Sequence, residues 1–186
     1  MVVPLPERAV TAVHLFGKLP AHGDFVSRGF NAGERDSLDA WLADSLSAAR
    51  EELGEDAFAG LYDSAPPWRC IVPDDAGGAT AGALTPSIDA AGRRYPIFLA
   101  LDVDRAKALE AADRCEALLY DALAERWDAD TVVAQAASVE LTGGPDYQGG
   151  AKWWTLGGEG FAPAHLAGGR PASLLRALLE RGEEAA

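Results

Sequence analysis

The chain has 186 residues, 48% of them hydrophobic and 24% charged, with a formal net charge of −13. One domain of that length can bury roughly 70% of the surface its unfolded chain exposes, so it requires neither a metal nor a disulfide staple. The acidic balance, with 16 Lys and Arg scattered and forming no basic run, argues against nucleic acid and anionic membrane as partners, because both are gripped by clustered cations.

Cys70 and Cys115 stand in the apolar stretches "WRCIV" and "DRCEALL" and read as reduced core thiols of a cytoplasmic protein. The opening "MVVPLPERAV" lacks the basic head and long apolar stretch of a secretory signal, and no apolar run has bilayer-spanning length. A cytoplasmic protein without membrane insertion is expected.

In chain order, "AVHLFGKLP" predicts a first strand ended by Gly17 and Pro20. Asn31, with Glu34 three residues later, marks a helix start in which each side chain covers a bare backbone amide. Leu38, Trp41, Leu42, Leu46, Ala49 and Leu53 then share one helical face, and Gly54 is the stop. A short helix, "EDAFAGLYDSA", is halted by "PPW". The strands "WRCIVP", "ATAGALTPS" and "YPIFLALDV" follow, joined by glycine turns as an antiparallel meander. Ile97 to Leu101 is apolar without alternation, the pattern of a central strand covered on both faces.

Asp104 is placed to cap a helix reaching about Trp127, with Leu109, Ala112, Leu119, Ala122 and Leu123 as its buried stripe. "TVVAQAA" adds further helical turns. "SVEL" and "KWWTL" read as two strands joined by "TGGPDYQGG", and "PASLLRALLERG" as a closing helix. Residues 1–11 and 182–186 are expected to be loosely ordered. The order implies a single α/β domain, 1–186, with helices on both faces of a mixed sheet.

The stretch "GKLPAHGDF", Gly17 to Phe25, concentrates chemistry-bearing residues. A nucleotide loop would need a second glycine five positions upstream and Ser or Thr after the lysine; Leu19 follows Lys18, so that reading fails. His22 and Asp24 suit an orienter–base pair, which needs a nucleophile. No G-x-S-x-G elbow is present, and Ser87 in "TPSID" lacks the flanking glycines. A turn in which these residues cap backbone amides is the simpler account. Asp102 and Asp104 end a strand, but without a third acidic ligand they do not make a metal site. The histidines at 14, 22 and 165 have no ligand spacing, so no metal or cofactor is expected.

"PSIDAAGRRYP" is a tight charged turn in which Asp89 and Arg93 can fold back on each other, or Arg93 can reach the Asp24 loop or a partner. Trp153 and Trp154 are adjacent on a strand and must point to opposite faces. Either becomes an aromatic anchor for a partner if its strand is an edge.

"GKLPAHGDFVSRG", "APPWRC", "TPSIDAAGRRYPI" and "KWW", in this order and at these separations, resemble the TagF (ImpM) family of accessory proteins of bacterial type VI secretion systems. Gly17, Lys18, Leu19, Pro20, Gly23, Asp24 and Phe25 match the first motif, and Trp68 and Arg69 the second. Pro86, Ser87, Asp89, Gly92, Arg93 and Pro96 match the third, and Trp153 with Trp154 the last. Cys70 and Tyr95 depart from the aromatic and the Phe of the family pattern while keeping an apolar role. The resemblance spans Val13 to Leu156. It implies a three-layer α/β/α sandwich and a non-enzymatic cytoplasmic regulator that restrains assembly or firing of the secretion machine after translation. The partner it implies is the system's forkhead-associated scaffold protein.

On that reading Lys18, His22, Asp24, Ser87, Asp89 and Arg93 are the candidate partner-binding residues. The rivals are a small hydrolase acting on phosphoesters or small molecules through Asp24, His22 and Asp102, and an architectural subunit of the secretion apparatus. Oligomeric state is open.

Overall fold

Seven strands enter one sheet in the order β2-β1-β5-β4-β3-β6-β7 in the computed structural model, which describes residues 10–180. The strands are β1 Ala12–Gly17, β2 Val26–Arg28, β3 Trp68–Pro73, β4 Gly78–Thr85, β5 Ile97–Asp104, β6 Lys152–Thr155 and β7 Ala164–Ala167. The helices are α1 Ala32–Leu53, α2 Glu55–Ser64, α3 Ala108–Ala124, α4 Ala129–Ala137 and α5 Leu174–Leu178. Every neighbouring pair of strands is antiparallel, which corrects the expectation of a mixed sheet. The reason is topological. The meander β3-β4-β5 walks back through short turns until β5 lies beside β1, and β6 joins the other side of β3 opposed to it. No crossover helix therefore links two neighbouring strands, as a parallel pair would require.

Strand alternation builds two cores. Ile97, Leu99, Leu101 and Val103 of β5 face a cluster roofed by α3 and α4, whereas Phe98 and Ala100 face one roofed by α1, α2 and α5. The unalternating run at Ile97 to Leu101 is buried throughout, as expected of a strand covered on both sides. The α3 roof approaches closely because both surfaces are small. Ala108, Ala111, Ala112 and Cys115 face Ala79, Ala81 and Ala83 of β4 in the same cluster. Leu109, expected in the buried stripe, is 49% exposed. The face that turns to the sheet runs through Ala108, Ala112, Cys115, Leu119 and Ala122, and Leu109 falls on its flank.

Helix α1 begins as the sequence predicts. The Asn31 side chain accepts from the Glu34 amide at 2.9 Å, and Glu34 accepts from the Asn31 amide at 3.0 Å. Gly54, at φ 78°, ends it and returns its N–H to the Arg50 carbonyl. Leu38, Leu42 and Leu46 lie buried along one side, each contributing roughly 1.5–3 kcal/mol relative to exposure. Substituting Leu42 by Ala would cost about 2–5 kcal/mol.

Three expectations at element ends are revised. Asp104 precedes a 3-10 turn, Arg105–Lys107, without a side-chain cap, and α3 stops at Ala124 because Arg126 turns left-handed at φ 54°. "SVEL" is not a strand. Ser138 caps α4, Leu141 is buried on the α3 side, and Glu110 of α3 accepts from the amides of Thr142 and Gly143 at 2.9 and 3.0 Å. Those bonds moor the segment to a helix, and β6 pairs instead with β7. The ends expected to be loose fall largely outside the described residues. Of the residues from the first of these ends that are described, Val10 is buried and the Thr11 amide donates to the Asp102 carbonyl at 2.9 Å.

Candidate functional site

The "GKLPAHGDF" loop leaves β1 and the "DAAGRR" turn enters β5, and the pairing of Gly17 with Ile97 brings both to one end of the sheet. Gly17 sits there at φ 132°, and a Cβ on it would collide with the Pro96 carbonyl, so glycine lets the two strands close at the loop base. The loops are then joined through one carboxylate. Asp89 Oδ2 accepts from Lys18 Nζ at 2.9 Å and from Arg93 Nε at 2.7 Å. Its Oδ1 accepts from the amides of Ala91 and Arg93, both at 2.9 Å. Asp89 is 1% exposed. The Lys18 ammonium, reinforced by these Arg93 and Ala91 contacts, holds its carboxyl well below the usual carboxylate range despite burial.

Backbone bonds complete the join. The Ala90 amide donates to the His22 carbonyl at 2.8 Å, and Arg93 Nη2 donates to the Gly23 carbonyl at 2.6 Å. Ser87 Oγ donates to the Lys18 carbonyl at 2.7 Å, and the Ser87 amide donates to the buried hydroxyl of Tyr62 at 3.1 Å. Arg93 therefore both folds back on Asp89 and reaches the Asp24 loop.

Lys18, Ser87 and Asp89, expected as partner contacts, are thus buried structural residues. The His22 ring reaches backward, Nε2 accepting from the Ala129 amide at 3.0 Å at the start of α4. Asp24 Oδ1 accepts only from the next amide, Phe25. What faces outward is Asp24, the Arg93 guanidinium (side chain 59% exposed), Phe25 (45%) and Ile88 (39%). Phe25 is braced from behind by an edge contact with Tyr95 at 4.7 Å and by the Lys18 ammonium at 5.0 Å. A shallow groove of about 290 Å³ runs beside Ile88 between Pro20, Pro86 and Leu123.

The two late tryptophans do point to opposite faces. Trp153 is 2% exposed and its indole N–H donates to the Gly169 carbonyl at 3.0 Å, so it is a core residue that borders the cavity beneath α1 and does not reach the outer surface. Trp154 is half-buried on the α3 side, with the Lys152 ammonium 4.5 Å from its ring centre. Their strand lies one place in from the edge strand β7.

A second constellation lies at the far end of the sheet and was not anticipated. His14 Nε2 is 2.9 Å from Asp102 Oδ2, and its Nδ1 is 3.1 Å from the Gly29 carbonyl. Both neighbours are acceptors, an arrangement that favours the doubly protonated ring, and the hydrogen bond with Asp102 chiefly raises the His14 pKa. His14 in turn chiefly lowers that of Asp102, whose Oδ1 also accepts from the Thr80 hydroxyl at 2.7 Å. These side chains floor a cavity of about 410 Å³ beneath α1. The signal for it is parity: His14 and Asp102 occupy strand positions whose neighbours Phe16, Phe98 and Ala100 face the α1 core. Asp102 lies five residues along β5 from Ile97, about 17 Å, so Asp24, His22 and Asp102 are not brought together. Among the described residues, no group of three or more His, Cys, Asp or Glu is arranged to hold a metal. No helix there is long and apolar enough to cross a membrane.

An all-antiparallel sheet roofed by helices on both faces, with its motif loops stitched together at one end, defines a single α/β domain. The chain belongs to the TagF N-terminal domain family, type VI secretion system-associated, whose profile matches residues 14–139. That match includes the two stitched loops and stops short of Trp153 and Trp154. A similar solved structure is PA0076 from Pseudomonas aeruginosa PAO1, with a TM-score of 0.71 at 25% identity over 92% of this chain and 96% of that one. No curated protein matches the chain.

Proposed function

We propose that this type VI secretion-associated chain is a non-enzymatic cytoplasmic regulator that restrains assembly or firing of the secretion machine by binding its forkhead-associated scaffold protein. In this reading the domain is a three-layer α/β/α sandwich serving as a rigid frame for the loop end. The observation that carries the proposal is the division of labour among the motif residues. Lys18, Ser87 and Asp89 are consumed in holding the two loops together, and the join presents Asp24, Phe25, Ile88 and Arg93 outward on a backbone that cannot easily move. Two exposed apolar side chains, one of them braced, together with one carboxylate and one guanidinium match the make-up of a protein-contact patch.

The test is capture of the scaffold protein by the purified chain, wild type against Arg93→Ala and Asp24→Ala, alongside secretion by a strain lacking the chain. Loss of capture by correctly folded variants and increased secretion in the deletion strain are expected. Undiminished capture, or secretion unchanged by the deletion, would refute the reading.

A further inference from the structure

The cavity beneath α1 combines two features that the stitched loops lack: aromatic walls and hydrogen-bond acceptors that the protein leaves open. Trp41 of α1, Trp153 of β6 and Phe98 of β5 form a continuous lining, with ring centres 5.7 Å and 5.9 Å apart, and Phe30 stands at the mouth against His14 at 5.0 Å. The walls are fixed from outside. The indole N–H of Trp41 donates to the Pro171 carbonyl and that of Trp153 to the Gly169 carbonyl, so residues 169–171 strap the lining in place. The volume, about 410 Å³, falls within the roughly 300–1,000 Å³ usual for small-ligand sites.

The polar groups set the sign of the guest. Both His14 ring nitrogens are engaged, by Gly29 and Asp102, and the Thr80 hydroxyl proton goes to Asp102. The floor therefore has no donor left for an anion. Asp102 accepts one bond on each oxygen, although a carboxylate has about four acceptor positions, and 37% of its side chain remains accessible. Glu34, at the rim, uses Oε2 for the Asn31 amide and keeps its other oxygen. The lining also carries one guanidinium, Arg170, which is exposed and donates one of its five N–H groups to Ser37 at 2.7 Å. Open acceptors ringed by aromatic faces form the arrangement that receives organic cations, because the ring quadrupole and the carboxylate attract the same charge. The net charge of −13 favours their approach.

We propose that this cavity binds an organic cation, an ammonium or guanidinium on an apolar stem, with Asp102 receiving the charged head and the Trp41–Trp153–Phe98 lining holding the stem. Its source is either a free amine or a Lys or Arg side chain of a protein. The site lies at the opposite end of the sheet from the scaffold-binding surface proposed above and stands or falls separately from it.

The test is isothermal titration of the full chain with phenethylammonium and benzylguanidinium against the neutral 2-phenylethanol, and with a pentapeptide carrying one central arginine against its citrulline counterpart. Saturable binding of at least one cation is expected, with the matched neutral compound weaker by about tenfold or more. Asp102→Asn should remove most of that preference. Tighter binding of the arginine peptide than of the small cations assigns a protein side chain as the source, and the reverse assigns a free amine. Equal binding of charged and neutral compounds, or no saturable binding by any cation, overturns the proposal. The charged-against-neutral comparison uses wild type alone, so it holds even if Asp102→Asn fails to fold.

Discussion

Where β1 ends, Asp89 is closed off, each of its oxygens accepting two bonds from within the protein; where β1 begins, Asp102 accepts one on each and stays partly open. Both carboxylates meet a basic side chain from a distant part of the chain, and both are held below their usual pKa chiefly by it. The difference lies in what surrounds them. Asp89 sits inside a turn whose own amides complete its shell, so its charge organises backbone. Asp102 projects from a strand into a cavity, where no local amide can reach it. The same residue type therefore acts as a structural rivet at one end and leaves binding capacity at the other.

Removing each carboxylate should separate the two ends most sharply. Asp89→Ala leaves the Lys18 ammonium buried without its partner and frees two turn amides. Loss of one member of a buried pair is among the most destabilising single changes, and a fall in thermal midpoint on the order of 10 °C is expected by calorimetry. Asp102→Ala should lower it by only a few degrees, because the solvent that reaches Asp102 also screens it. Equal falls would erase the distinction. Gly17→Ala comes next, at about 3 kcal/mol in urea denaturation, since it imposes a side chain at φ 132° against the Pro96 carbonyl.

A smaller effect is pH-dependent and belongs to the open end. His14 has a raised pKa, so its contribution is complete below the unfolded value near 6.5 and is lost as pH rises through the folded value. Asp102 has a lowered pKa, so its contribution is complete above the unfolded value near 3.9 and is lost as pH falls through the folded one. The pair stabilises best between these limits. Between pH 6 and 8.5, wild type should lose stability relative to His14→Gln, measured by urea denaturation across that range. A parallel decline in both proteins would remove His14 as the cause. The smallest effect on stability is expected for Arg93→Ala, less than about 1 kcal/mol, since its guanidinium is mostly in water.

The legible parts of the molecule are those decided by near neighbours in the chain. The Asn31–Glu34 box, the Gly54 stop and the glycine turns of the β3-β4-β5 meander are all local, and each stands where the sequence places it. Asp89 and Arg93 are four positions apart in a tight turn, and their contact too could be foreseen. Lys18 joins them across 71 positions, and His14 meets Asp102 across 88. Those meetings depend on β1 lying beside β5, a register that no local pattern encodes. Strand β2 has three residues and β7 is a small, exposed edge segment, so neither carries the β-branched or aromatic signature of a strand. "SVEL" carries a fair strand pattern, and the Glu110 carboxylate overrides it with bonds to the following amides.

On the proposed function, the scaffold protein docks on the stitched loop end and makes no use of the far-end cavity. The direct measurement is the affinity of the forkhead-associated scaffold protein for wild type, Ile88→Asp, Arg93→Ala and Asp102→Asn, by surface immobilisation, with thermal midpoints taken in parallel. Ile88→Asp and Arg93→Ala should each weaken binding by about tenfold or more at near-native stability, while Asp102→Asn binds as wild type does. Wild-type affinity in both loop-end variants, or a loss confined to Asp102→Asn, would contradict the account.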